Sequence, residues 1–152
     1  MTVHQWTGRL IAPFRVGVFN VYNHFFHTSR TRVIVLNEDG EVLLVKSWGA
    51  QSYWNLPGGG IKSGEHPVDA ACRELQEEIG LRVPQEAFVY VTTIDWQYEA
   101  PIFTLLTSKA VVADVWRTSG EIVELEWFPI GNLPADLCPL VPLALKELSK
   151  AD

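Results

Sequence analysis

The chain has 152 residues, 47% of them apolar, enough to close one hydrophobic core and too few for a second. Its 18 acidic and 12 basic side chains give a formal net charge of −6, which opposes non-specific attachment to nucleic acid or anionic lipid. The 2 cysteines, Cys72 and Cys138, form neither a paired zinc motif nor a disulfide scaffold, so a cytoplasmic protein that binds neither nucleic acid nor membrane is expected.

The N-terminus has no secretory-signal pattern. From Leu10 to Phe26 the chain is rich in apolar residues, but Pro13, Arg15, Gly17, Asn20, Asn23 and His24 interrupt any membrane span. Leu10, Ile11, Phe14, Val18, Val21, Tyr22 and Phe25 recur at helical spacing, which predicts an amphipathic helix. Residues 1–30 are therefore expected to form a helical extension that packs on its own domain or across a homodimer. The spacing of His24 and His27 offers no third metal ligand and reads as surface.

The domain proper is expected over residues 31–152. Arg32 to Leu36, turn chemistry from Asn37 to Gly40, and Glu41 to Lys46 predict a β-hairpin. After Trp48, Tyr53 and Trp54, Pro57 and the glycines Gly58, Gly59 and Gly60 exclude regular structure. A helix is predicted from Pro67 to Gly80, with proline in its first turn and glycine at its end. Strands are predicted over Phe88 to Ile94, Ile102 to Leu106 and Val123 to Phe128, with Glu99, Ala100 and Pro101 as a turn; Leu140 to Leu148 predicts a closing helix. With no internal repeat, this pattern predicts an α/β fold, a mixed sheet covered by helices.

On an ideal helix at about 100° per residue, Glu74, Glu77 and Glu78 share one face while Val68, Cys72, Leu75 and Ile79 gather on another. Carboxylates at these spacings repel one another unless a cation neutralises them. Oxygen ligands without a nearby histidine or thiol select magnesium, manganese or calcium over zinc. A solvated acidic face is the alternative. The glycines just before the helix weigh against it, because a loop without Cβ atoms lets backbone groups approach a metal or phosphate oxygen.

Gly59, five residues, Glu65, seven residues, then Arg73-Glu74-Leu75-Gln76-Glu77-Glu78-Ile79-Gly80-Leu81 reproduces every fixed position of the Nudix box. The chain thus resembles a Nudix hydrolase, and flanking similarity at Leu43 and Leu44, Trp54 to Pro57, and Trp127 to Pro134 extends this over roughly Arg32 to Pro134. The resemblance implies an α/β/α sandwich with a catalytic loop-helix-loop. It implies that Glu74, Glu77 and Glu78 bind Mg2+, with Mn2+ as a substitute, and that the Gly59 carbonyl adds a ligand. It implies that Glu65 supports the site and that Arg73 fixes a neighbouring glutamate with its guanidinium fork. The implied reaction is attack of metal-activated water on phosphorus, cleaving the pyrophosphate of a nucleoside diphosphate linked to another moiety.

Four aromatic residues are weaker candidates. Trp48, Tyr53 and Trp54 precede the glycines and would stack on a nucleobase, with core packing as the favoured alternative. Tyr98 stands near a tyrosine position of family members that cut dinucleoside polyphosphates. Glu121 is an outside candidate for the general base, against a solvated loop charge. Cys72 reads as a small core residue and not as a nucleophile.

Overall fold

The computed structural model describes residues 29–48, 53–95, 99–106 and 121–151. The predicted N-terminal helix and Tyr98 lie outside the described residues. Strands β1 (Arg32–Leu36) and β2 (Glu41–Ser47) are followed by helix α1 (Pro67–Ile79). Strands β3 (Val89–Asp95), β4 (Glu99–Leu106) and β5 (Ile122–Pro129) come next, and helix α2 (Leu140–Ala151) closes the described chain.

The strands form one mixed sheet in the order β3-β4-β1-β2-β5, parallel between β1 and β4 and antiparallel elsewhere. The β1–β2 hairpin forms where predicted. Asn37 closes it, its side-chain oxygen accepting from the N–H groups of Asp39 and Glu41 at 2.9 Å each.

Side chains alternate across the pleat, and the two sets enter different cores. Val33 and Val35 of β1 and Leu43 and Val45 of β2 meet Ala71, Leu75 and Ile79 of α1. Ile34, Val42 and Leu44 face the other way, toward Leu140, Val141, Ala144 and Leu145 of α2. Both sheet faces are thus covered by a helix, as the α/β/α expectation requires.

Helix α1 keeps its predicted bounds for local reasons. The His66 side chain accepts from the N–H of Val68, Pro67 opens the first turn, and Gly80 turns left-handed at φ 69°. Its buried face is built from Ala70, Ala71, Leu75 and Ile79; Cys72, expected in the core, is only half-buried beside it. Burial still raises the Cys72 thiol pKa, with Asp69 adding repulsion, so its sulfur is held away from the thiolate.

One expected element is corrected. Glu99, Ala100 and Pro101 are not a turn but the first residues of β4, paired with Asp95, Ile94 and Thr93 of β3. Pro101 is tolerated because the β1 ladder begins one residue later, at Arg32 opposite Ile102. Its carbonyl accepts from the Thr31 hydroxyl on that side, so the ring nitrogen faces a position where no ladder hydrogen bond is owed.

Candidate active site

Beyond their hairpin turn β1 and β2 diverge, and the segment leading into the glycines fills the opening between them. Asn55 exchanges both backbone hydrogen bonds with Val45 of β2, at 2.9 and 3.0 Å. On the other side Val33 donates to the Pro57 carbonyl and Thr31 to that of Gly59, each at 2.9 Å, and Ile61 donates to Ser29. The carbonyl between these, that of Gly58, accepts from the Arg32 guanidinium. A loop read as irregular is therefore held like a short strand, as rigidly as the sheet around it.

Arg73 organises the acidic face of α1. Its Nε and Nη2 donate to the two carboxylate oxygens of Glu65 at 2.8 and 2.9 Å, a bidentate pair that pulls the loop onto the helix. The same Nη2 reaches the Gly60 carbonyl at 2.8 Å, while Nη1 donates to Glu74 at 2.7 Å and to Glu77 at 3.3 Å. Glu78 turns the other way, and its carboxylate accepts the Gly58 N–H at 2.7 Å. One guanidinium and the peptide N–H groups of Gly58 and Lys62 thus fix all the box carboxylates.

The electrostatics differ along this face. Arg73 holds the Glu65 carboxyl at about 2, helped by the Lys62 N–H, and Glu65 in turn raises Arg73. Burial pushes Glu78 up to about 7, against the charge of Arg32 and the Gly58 N–H, while Glu74 adds repulsion. Among the described residues the carboxylates do not converge on one point, because Arg73 claims Glu74 and Glu77 while Gly58 claims Glu78.

The Glu65–Arg73 pair makes a stability prediction with a definite sign. A carboxyl depressed from 4.5 to about 2 contributes stability above its unfolded pKa and loses it as pH falls from 4.5 toward 2. Glu65→Gln is expected to lower unfolding free energy by roughly 1–2 kcal/mol at pH 7, after allowance for partial solvent screening. Urea titrations at pH 7 and pH 3 should show that deficit shrinking in acid; a constant deficit would mean that the pair's charge does not matter.

The NUDIX domain family matches residues 26–147 of the chain. The chain belongs to the Nudix family. Among curated relatives, it is 41% identical over 70 residues to an RNA pyrophosphohydrolase of Aeromonas hydrophila, covering 45% of this chain and 39% of that protein. It is 35% identical over 89 residues to an RNA pyrophosphohydrolase of Francisella tularensis, covering 56% of this chain and 54% of that protein. The chain thus matches about half, or less, of the length of these relatives.

Solved Nudix structures share the fold. A MutT NUDIX hydrolase from Burkholderia pseudomallei superposes with a TM-score of 0.66 at 25% identity, over 80% of this chain and 97% of the other. An Ap4A hydrolase from C. elegans gives 0.62 at 18% identity, over 80% and 96%, a likeness of fold alone.

The donors on this Nudix helix and loop fit a hard divalent cation. They are carboxylate and peptide oxygens, with neither histidine nor thiolate among them. The loop is shaped to the carboxylates as well, since a Cβ on Gly59 would overlap the Glu74 carboxylate.

The other predicted residues scatter. Trp54 takes the favoured alternative, a core residue, and not the stacking role: at 5% exposure it packs edge-on against Phe128 at 4.9 Å beneath the Lys46 ammonium, and offers no face to a base. Its alternation with Asn55 and Leu56 carried that signal. Tyr53 is 47% exposed beside the glycine segment. Trp48 is half-buried and donates its backbone N–H to the carbonyl of Glu121, which joins the end of β2 to the start of β5. Sequence reading missed Arg32 and Thr31, both buried against the glycine segment. A buried arginine opening an apolar strand was the available signal.

Proposed function

We propose that the chain hydrolyses the pyrophosphate linkage of a nucleoside diphosphate joined to another moiety, using Mg2+ or Mn2+ held by Glu74, Glu77, Glu78 and the Gly59 carbonyl. The observation that carries this reading is the packing of the complete box: Glu74 and Glu78 lie against Gly59 and Gly58, and Arg73 ties Glu74 and Glu77 together. When bound, the cation neutralises phosphate oxygens and acidifies a water for in-line attack.

The chain's own residues supply position. Arg73 keeps Glu65, the Gly60 carbonyl and Glu74 in fixed relation. Glu77, with 58% of its side chain exposed, faces incoming substrate and solvent. The proton of the attacking water passes to a carboxylate oxygen on this face, with Glu121 at the start of β5 as the alternative acceptor. Tyr53, exposed ahead of the glycine segment, is the candidate to stack on a base.

A small nucleotide-linked substrate is favoured over a polynucleotide by the net charge of −6. The relatives named RNA pyrophosphohydrolase make an RNA-linked pyrophosphate the second substrate class to test. Both cysteines are free and half-buried, which suits the reducing cytoplasm. Among the described residues no helix is long and apolar enough to cross a membrane.

The test is a magnesium-dependent screen of nucleotide sugars, ADP-ribose, dinucleoside polyphosphates, nucleoside triphosphates and 5′-phosphorylated RNA, with products identified. Chelation of divalent metal is expected to abolish hydrolysis and to change thermal stability little, and added Mg2+ or Mn2+ to restore it. Full turnover in the chelated protein would overturn the proposal.

A further inference from the structure

We infer that Arg32 is a positioning residue for the metal-binding carboxylates, acting through Gly58 on Glu78. The inference rests on the proposed function in that it takes Glu78 as a metal ligand. Arg32 opens β1, a strand otherwise composed of Val33, Ile34, Val35 and Leu36, and it is 7% exposed. Its side chain emerges on the same side of the pleat as Ile34, where an apolar residue would continue the core.

A guanidinium is an expensive occupant of such a position. Desolvating a charge costs several kcal/mol unless every N–H is satisfied, and the Arg32 Nε has no hydrogen-bond partner among the described residues. What the side chain does reach is the Gly58 carbonyl. That carbonyl lies between those of Pro57 and Gly59, which the β1 backbone takes through Val33 and Thr31. In an extended segment successive carbonyls point opposite ways, so the β1 backbone cannot take the middle one. Arg32 supplies the missing donor, and all three consecutive carbonyls are held from the same strand.

The consequence reaches the site through one residue. The Gly58 N–H, which donates to Glu78 at 2.7 Å, shares a peptide plane with the Pro57 carbonyl that Val33 holds, and Arg32 holds the next plane through the Gly58 carbonyl, so both planes flanking this glycine are fixed from β1. Glycine at this position has no side chain to restrain it, so the restraint has to come from outside. The positive charge of Arg32 also lies close enough to act on the Glu78 carboxylate. Arg32 thereby aims Glu78 without touching metal or substrate.

Two effects of losing Arg32 have opposite signs, which makes the test decisive. Removing a cation near the site would by charge alone tighten a divalent ion, whereas loss of positioning would weaken it. Mn2+ binding is measured by electron paramagnetic resonance and calorimetry on the whole protein without substrate, for wild type, Arg32→Gln and Arg32→Lys, with thermal melts alongside. Arg32→Gln is expected to weaken Mn2+ by about 10–100-fold, and Arg32→Lys, which keeps the charge but not the fork, by a smaller factor of at least about threefold. Mn2+ bound by folded Arg32→Gln as tightly as by wild type, or more tightly, overturns the inference. If Arg32→Gln does not fold, Arg32→Lys decides, and wild-type affinity in that variant overturns it. Absence of Mn2+ binding in the wild type would instead sink the metal reading of the helix, and this inference with it.

Discussion

Glu78→Gln is expected to lower turnover at saturating Mg2+ on the order of 10²–10⁴-fold without lowering the melting temperature. The amide keeps an oxygen for the Gly58 N–H, so the loop retains its hydrogen bond, and the replacement adds no bulk. What it removes is the charge. Burial works against that charge, lifting the carboxyl to about 7, so a neutral group of the same shape is tolerated at least as well by the fold. Glu77→Gln should lose activity on the same scale. Its side chain is 58% exposed and makes only the 3.3 Å contact with Arg73, so its stability change should stay within about 0.5 kcal/mol. Steady-state kinetics across a metal titration, with melts of the same samples, separate the two quantities. Near-normal kcat in either variant would remove that glutamate from the site.

Local chemistry explains what could be read in the sequence. Pro67 and Gly80 mark α1 because proline suits a first helical turn and glycine a left-handed end, and both act within a few residues of themselves. Periodicity placed Leu75 and Ile79 on the buried side, which in turn fixed where Glu74, Glu77 and Glu78 point. The start of β4 was not legible for the converse reason. Glu99, Ala100 and Pro101 carry turn chemistry, and they pair with Asp95, Ile94 and Thr93 just upstream in a sheet whose next strand begins beside Thr31, 70 positions before Pro101.

The same distinction divides the site. Its acidic half lies on one helix and the loop just before it, and shows in a single run of sequence, from Glu65 to Glu78. Its other half is made by intercalation of the glycine segment between β1 and β2, a long-range event that brings Arg32 to a carbonyl 26 positions later. No spacing rule links those two residues. For Trp54 the weaker of its two readings, stacking on a base, rested on closeness in sequence to the glycines, and the favoured one, core packing, is what the structure shows. The segment is strand-like there, so residue parity decides the side, and Trp54 goes with Leu56 into the core over α2.

The three consecutive glycines should respond to alanine in three different ways, although composition treats them alike. At Gly58 the backbone has φ 134°, and an added Cβ would lie closer than 3.0 Å to the Thr31 carbonyl oxygen, a main-chain atom at the entry to the central strand that cannot move aside. Strain and overlap together make Gly58→Ala the most destabilising, by about 3–5 kcal/mol, enough to threaten the fold. At Gly59 the obstacle is the Glu74 carboxylate, the end of a flexible side chain, so the protein should fold within about 1 kcal/mol of wild type. Its metal affinity should nevertheless fall by about 10–100-fold, because Glu74 has to leave the position in which Arg73 holds it at 2.7 Å. At Gly60 no atom lies within 4 Å of the added methyl, and Gly60→Ala should be neutral or stabilising by about 0.4–1 kcal/mol through the entropy of the unfolded chain. Urea midpoints and Mn2+ titrations on the three variants give both quantities. A Gly59→Ala protein that binds Mn2+ as tightly as wild type would show that Glu74 need not stay against the loop, and that the shape of the glycine segment does not govern the placement of its ligands.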